Sequence, residues 1–205
     1  MGKRQIAAQE TRQKLVDAAK KLILEVGFDN FSVSDFTEKA GVAKGSFYTY
    51  FGHKEDIIDE VTHQNLYPLR DKSLSIDGCV VAKLSHYLTE AMSQIVEYGL
   101  VSAQNWLRLG MEPGNVCVLN KMQLDMSVIE EILLSGINSG ELSGDIPVMS
   151  VRHCIMAEFY GIVVTWCISN GAINAMDLIQ YYCNQHLNKL FSEYQKTEAK
   201  QQRRA

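Results

Sequence analysis

The chain has 205 residues, of which 46% are hydrophobic and 21% charged. That composition excludes a disordered tail protein and a collagen-like repeat, and the length allows one or two packed domains. The net charge of −4 hides an asymmetry: residues 1–54 hold nine Lys/Arg against six Asp/Glu, and residues 55–205 hold eleven against eighteen. A basic end on an acidic body marks the end that meets an anion, nucleic acid among the candidates.

The N-terminal stretch MGKRQIAAQETRQKL is polar and lacks the apolar core of a signal peptide. The longest apolar run covers residues 159–168, about half of the roughly twenty residues a spanning helix needs. A cytoplasmic protein is expected. Cys79, Cys117, Cys154, Cys167 and Cys183 are odd in number and widely spaced. They are expected as reduced thiols packed like small hydrophobes. Proline occurs only at 68, 113 and 147, which leaves room for long helices.

In chain order, residues 10–26 place Leu15, Ala18, Ala19, Leu22, Ile23 and Val26 on one helical face, and Gly27 follows as a C-terminal cap. Ser32, with Asp35 three residues on, forms an Asp variant of the capping box. It opens a short helix over 33–39, which Gly41 ends. A second short helix runs from 43 or 44 to about Phe51. Gly52 and His53 then break the chain, and Glu55 and Asp56 stand in the first turn of the next helix.

Two short helices joined by a Gly-containing turn make a helix-turn-helix. Phe36, Ala40, Val42, Phe47 and Phe51 are its packing residues. Lys44, Gly45, Ser46, Tyr48, Thr49 and Tyr50 are left on the outer side of the second helix. These types suit a duplex. Lysine attracts phosphate, small residues allow close approach to base edges, hydroxyls donate to phosphate, and a threonine methyl can touch thymine.

The stretch from Thr11 to Val61, and AGVAKGSFYTYFGHKEDI within it, resembles the DNA-binding domain of the tetracycline-repressor (TetR) family of bacterial regulators. The resemblance implies an all-α fold. An N-terminal three-helix helix-turn-helix domain (1–53) precedes a larger helical ligand-binding and dimerisation domain (54–205). Carried over by position, Ser34 opens the second helix at a DNA contact, and Lys44, Gly45, Ser46, Tyr48, Thr49 and Tyr50 fall on the recognition helix. Lys54 matches a phosphate-contacting lysine at the start of the fourth helix. Gly52, His53 and Thr49 depart from the common pattern. The departures bear on which operator is read.

Beyond His53 a helical pattern continues to about Leu69, with Pro68 near its end. Further helices are expected over 77–98, 100–111, 115–140 (mildly interrupted at Gly136), 148–169 and 174–196. Pro147 is placed near the first turn of the 148–169 helix. That helix is apolar nearly all round. With the last helix it could dock on a symmetry mate as a four-helix bundle, which is where the family places its homodimer interface. A dimer also sets two recognition helices about 34 Å apart, matching successive major-groove turns of a palindromic operator in double-stranded DNA.

Tyr67, Tyr98, Trp106, Met122, Met126, Phe159 and Tyr160 are the candidate lining of a small-molecule pocket. The same residue types fill ordinary cores, and the pocket as a whole is implied by the resemblance. No GxGxxG, HExxH or CxxC occurs, so no cofactor, metal site or catalytic group is expected. The reading is a ligand-released dimeric repressor. A thiol or metal sensor of the same fold, using Cys154, Cys167 or Cys183, is the alternative.

Overall fold

The computed structural model describes residues 2–26, 31–111 and 117–195. Among these, helices and turns account for the architecture, and the only extended pairing is an isolated bridge between Leu142 and Gln195. The helices are α1 (Lys3–Val26), α2 (Val33–Ala40), α3 (Lys44–Tyr50), α4 (Lys54–Ser75), α5 (Val80–Tyr98), α6 (Leu100–Gly110), α7 (Cys117–Asn138), α8 (Val148–Ile168), α9 (Ala175–Tyr182) and α10 (Asn188–Phe191). A π-helical turn, Cys183–Leu187, joins the last two. The expected cap at Gly27 and the end of the last helix at 196 lie outside the described residues, as do the side chains of Val26 and Cys117.

Two compact units emerge. One comprises Met1–Leu66 and Glu97–Lys121, the other Tyr67–Val96 and Met122–Ala205. In the first, Leu15, Val16, Ala19, Leu22 and Ile23 of α1 meet Phe31, Phe36, Phe47, Phe51, Ile57 and Val61 in one core. Phe36 stacks on Phe47 with ring centroids 5.8 Å apart, and Phe31 meets Phe36 edge-on at 4.8 Å. Each such pair adds about 1 kcal/mol beyond its buried area. The second unit buries Leu84, Leu88, Met92, Ile129, Ile132, Ile155, Phe159, Val163, Ile179 and Phe191.

Four features differ from the sequence expectations. Helix α1 starts at Lys3, seven residues early, with the Gly2 amide donating to Oε1 of Gln5 at 3.2 Å. Helix α4 does not stop near Leu69 but carries Pro68 in its interior and runs to Ser75. The proline forfeits one backbone bond, while the turns beyond it are held by buried Leu69 and Ser73 and by Arg70, whose Nε and Nη2 reach Glu131 at 2.6 and 2.7 Å. Helix α7 passes through Gly136 without a break, and a Cβ there would lie 2.2 Å from Cγ2 of Val80. The glycine serves close packing of α7 on α5. Finally, α8 is long and apolar enough to cross a membrane by length and composition, contrary to the ten-residue limit read from the sequence. Half of its apolar window is buried within the protein, and Arg152 on it pairs with Glu130 of α7.

Candidate nucleic-acid interface

The helix-turn-helix is assembled by local chemistry. The Asp35 carboxylate accepts both the amide and the hydroxyl of Ser32, the latter at 2.8 Å, and so fixes the start of α2. These bonds, led by the Ser32 amide, together with nearby Lys54, hold the Asp35 carboxyl below its ordinary range. Gly41 ends α2 at φ +67°, ψ +35°, with its amide bonded back to Glu38 and Thr37. That left-handed conformation is strained for a residue bearing a Cβ. At the other end of α3, Oδ2 of Asp56 accepts the amides of Gly52 at 2.8 Å and His53 at 2.9 Å, which caps α4 in place of a Ser or Asn side chain.

Helix α3 is two-sided. Phe47 is 0% exposed and Phe51 4%, whereas Tyr48 is 57% exposed. Lys44, Gly45 and Thr49 are exposed beside it, and Ser34 is exposed on α2. Ser46 is half-buried. Tyr50 differs from expectation: it is half-buried and packs on the core of the first unit, so it offers less of itself to the outer face. The Thr49 hydroxyl donates to the Gly45 carbonyl at 3.3 Å. Lys54 is partly covered, with Nζ 4.3 Å from the Phe31 ring centroid.

Gly45 is informative. A Cβ built there meets nothing within 4 Å, and its φ does not fall in the left-handed region. Neither packing nor backbone geometry within the chain asks for glycine. Bare backbone beside Lys44 and Tyr48 leaves room for a partner surface.

The seven residues chosen for a ligand pocket are not gathered into one unit. Tyr98 and Trp106 lie in the first and the other five in the second. Tyr98 packs on the helix-turn-helix core, and its hydroxyl accepts from Asn65 at 2.6 Å. Tyr67 is 47% exposed. Trp106, Met122 and Met126 are half-buried, and Phe159 is core. Tyr160 donates to Asp125 at 2.7 Å, and so does Tyr87. The Tyr87–Asp125–Tyr160 clamp was not foreseen, because one acid in an amphipathic helix reads as solvent-facing; nothing in its spacing announces that Asp125 is 1% exposed.

A groove of about 450 Å³ lies along α8 and α9, lined by Glu158, Gly161, Ile162, Leu178, Tyr181 and His186 among others. It contains none of the seven. Among the cysteines, Cys154 is exposed, while Cys167 and Cys183 are buried. Burial pushes both buried thiols up, which makes them weak nucleophiles. No group of three metal-capable side chains occurs among the described residues.

The sequence pattern described as "Bacterial regulatory proteins, tetR family" matches residues 15–61. The fatty acid metabolism regulator protein of Bacillus subtilis (strain 168) is 24% identical over 174 residues, covering 77% of this chain and 84% of that one. The crystal structure of the regulator FadR from Bacillus subtilis in complex with stearoyl-CoA superposes with a TM-score of 0.65 at 24% identity, over 88% and 97% of the two chains. A TetR-family regulator from Rhodococcus sp. superposes with a TM-score of 0.72 at 16% identity, over 89% and 99%. At these identities the structural likenesses speak for the fold. The family pattern covers the helix-turn-helix built above, which makes residues 15–61 a DNA-binding segment of the kind found in the TetR family of bacterial transcriptional regulators.

Proposed function

We propose that the protein is a dimeric repressor that binds a palindromic operator through α3 and leaves it when a small molecule enters the C-terminal part. The functional division follows residue 53, with DNA reading before it and sensing and dimerisation after. The observation that carries the DNA face is the two-sidedness of α3: Phe47 and Phe51 inward, Lys44, Gly45 and Tyr48 outward. Selection from a pool of random duplexes tests it. Convergence on a palindrome supports the reading, and a pool that stays random overturns it. Tyr48→Ala and Lys54→Ala should both weaken binding to the selected site, and the lysine change should also flatten its salt dependence.

The dimer would form through α8 and α9. Gly161 stands exposed in mid-α8 with open space above it. Met149 and Ile168, near the two ends of that helix, are 65% and 81% exposed, and Tyr181 across the groove is 61%. An apolar rim around small residues suits a matching helix pair. Sedimentation velocity on the parent and on Gly161→Arg separates the outcomes. A dimer that the arginine converts to monomer supports the interface.

The effector is proposed to be a long-chain acyl-CoA, since a relative aligned over most of its length is a fatty acid metabolism regulator and the similarly folded regulator FadR was solved in complex with stearoyl-CoA. Stearoyl-CoA should raise the melting temperature and displace the protein from its operator; binding and release are then reciprocal. If it does neither, the effector class is wrong and the DNA reading stands.

A further inference from the structure

We propose that Thr49 is a specificity-determining residue whose methyl group reads the 5-methyl of a thymine, with Gly45 making room for that base edge. This rests on the DNA-binding reading above and names what one of its residues recognises. Both positions lie in α3, within the matched DNA-binding segment.

The hydroxyl of Thr49 is already committed. It donates to the Gly45 carbonyl at 3.3 Å, one turn back along α3. A threonine hydroxyl has one proton, and this one is directed at the helix backbone. Thr49 is nevertheless exposed. Its Cβ carries two branches. The oxygen is turned to the chain, and the methyl is left as the branch offered to a partner.

Gly45 continues the same surface. Residues four apart on a helix are neighbours, and a helical side chain leans over the turn N-terminal to its own Cα. Thr49 therefore leans over Gly45. A Cβ at Gly45 would meet nothing within 4 Å, so the space beside the Thr49 methyl is open. The two residues together present a methyl group and no side-chain proton to donate. Their neighbours differ. Lys44 and Tyr48 make no hydrogen bond or ion pair among the described residues, and the Tyr48 ring is braced edge-on against buried Phe47 at 5.3 Å. The ammonium and the phenol stay available for phosphates and polar base edges.

This division selects the partner. Every base offers hydrogen-bonding groups in the major groove, and thymine alone adds a methyl. Burying that methyl against the Thr49 methyl removes apolar surface of both from water. Guanine, adenine and cytosine give no such burial.

The test starts from the palindrome recovered from random duplexes. Each thymine is replaced in turn, in both half-sites, by deoxyuridine, which lacks only the 5-methyl. Affinity is followed by fluorescence anisotropy for the parent, Thr49→Ser and Thr49→Val. Serine keeps the hydroxyl without the methyl, and valine keeps the methyl without the hydroxyl. With the parent, one thymine position should lose about fourfold in affinity per half-site, the transfer free energy of one buried methyl. Thr49→Ser should be indifferent to deoxyuridine at that position, and Thr49→Val should still show the loss there. A deoxyuridine penalty that is the same in Thr49→Ser as in the parent overturns the proposal, because the two methyls are then uncoupled. So does a parent with no deoxyuridine-sensitive position, or a valine variant that no longer distinguishes the two bases. A pool that yields no palindrome removes the DNA reading and the proposal with it. Melting curves confirm that all three proteins are folded at the assay temperature.

Discussion

The guanidinium of Arg12 meets the carboxylate of Glu60 through two hydrogen bonds of 2.7 and 2.8 Å, tying α1 to α4 across 48 residues of sequence. The same guanidinium lies over the Phe51 ring. One side chain thus fixes the position of α3's end relative to two long helices. Arg12→Ala should cost about 1 kcal/mol, the scale of a partly exposed forked ion pair plus a cation–π contact. It should also weaken operator binding, although Arg12 is no proposed contact. Urea midpoints measure the first effect and anisotropy the second. An unchanged urea midpoint would show that the pair contributes nothing.

Gly45 offers a substitution whose two effects point in opposite directions. Alanine is favoured over glycine within helices by up to about 1 kcal/mol, and a Cβ there meets no atom of the chain. Gly45→Ala should leave the melting temperature unchanged or raised and lower operator affinity. A variant that binds like the parent would show that α3 does not approach its partner closely at this position.

The helix-turn-helix was legible because its chemistry is local. Ser32 and Asp35 are three residues apart, Gly41 supplies the left-handed turn, and the aromatic positions 36, 47 and 51 recur on one face. That Tyr50 and Ser46 are half-buried and not fully exposed was not legible, because the period of a seven-residue helix does not separate the two cases. The C-terminal helices were legible in order, but the last, expected as one helix over 174–196, is divided into α9 and α10 by the π-helical turn Cys183–Leu187. Their polar interior was not legible, since Tyr87, Asp125 and Tyr160 are brought together only by the packing of α5, α7 and α8. The run of α4 past Pro68 is likewise a tertiary effect. Arg70 and Glu131 are 61 residues apart, and local pattern carries no trace of their pairing.

The Asp125 clamp makes a prediction about the second unit. Tyr87 and Tyr160 are 1% and 8% exposed, and each donates 2.7 Å to one oxygen of a fully buried carboxylate. Burial, reinforced by the carboxylate, pushes both phenols well above their ordinary range, so they remain donors at any working pH. Removing one donor leaves an acceptor oxygen short of a bond in a low-dielectric setting, at a cost of about 1–3 kcal/mol. Tyr87→Phe should therefore destabilise by that amount, with little change in volume. Tyr87→Phe/Tyr160→Phe should depart from the sum of the single changes, because both donors serve one group. Additive single and double variants in urea unfolding would show that the three do not act as a unit.

The start of α2 should respond to acid through Asp35. Its folded-state pKa lies below the ordinary 3.8, held there first by the Ser32 amide, then by the Ser32 hydroxyl, with Lys54 adding attraction. For a carboxyl whose folded value is depressed, the stabilisation is fully present above the unfolded value. It is lost as pH falls from there through the folded value. Neutral pH is thus on the plateau, and the loss belongs to the range below about 4. Asp35→Asn keeps the shape of the side chain but removes the titrating charge. The parent should lose melting temperature more steeply than this variant between pH 5 and pH 3, in the manner of ~one proton taken up on unfolding. At neutral pH Asp35→Asn should be less stable, because an amide oxygen is a weaker acceptor than a carboxylate for the two Ser32 donors. Parallel acid curves for the two proteins would show that the bond to Ser32 contributes no pH-dependent stability. The helix start would then rest on the buried Phe36 and Thr37 alone.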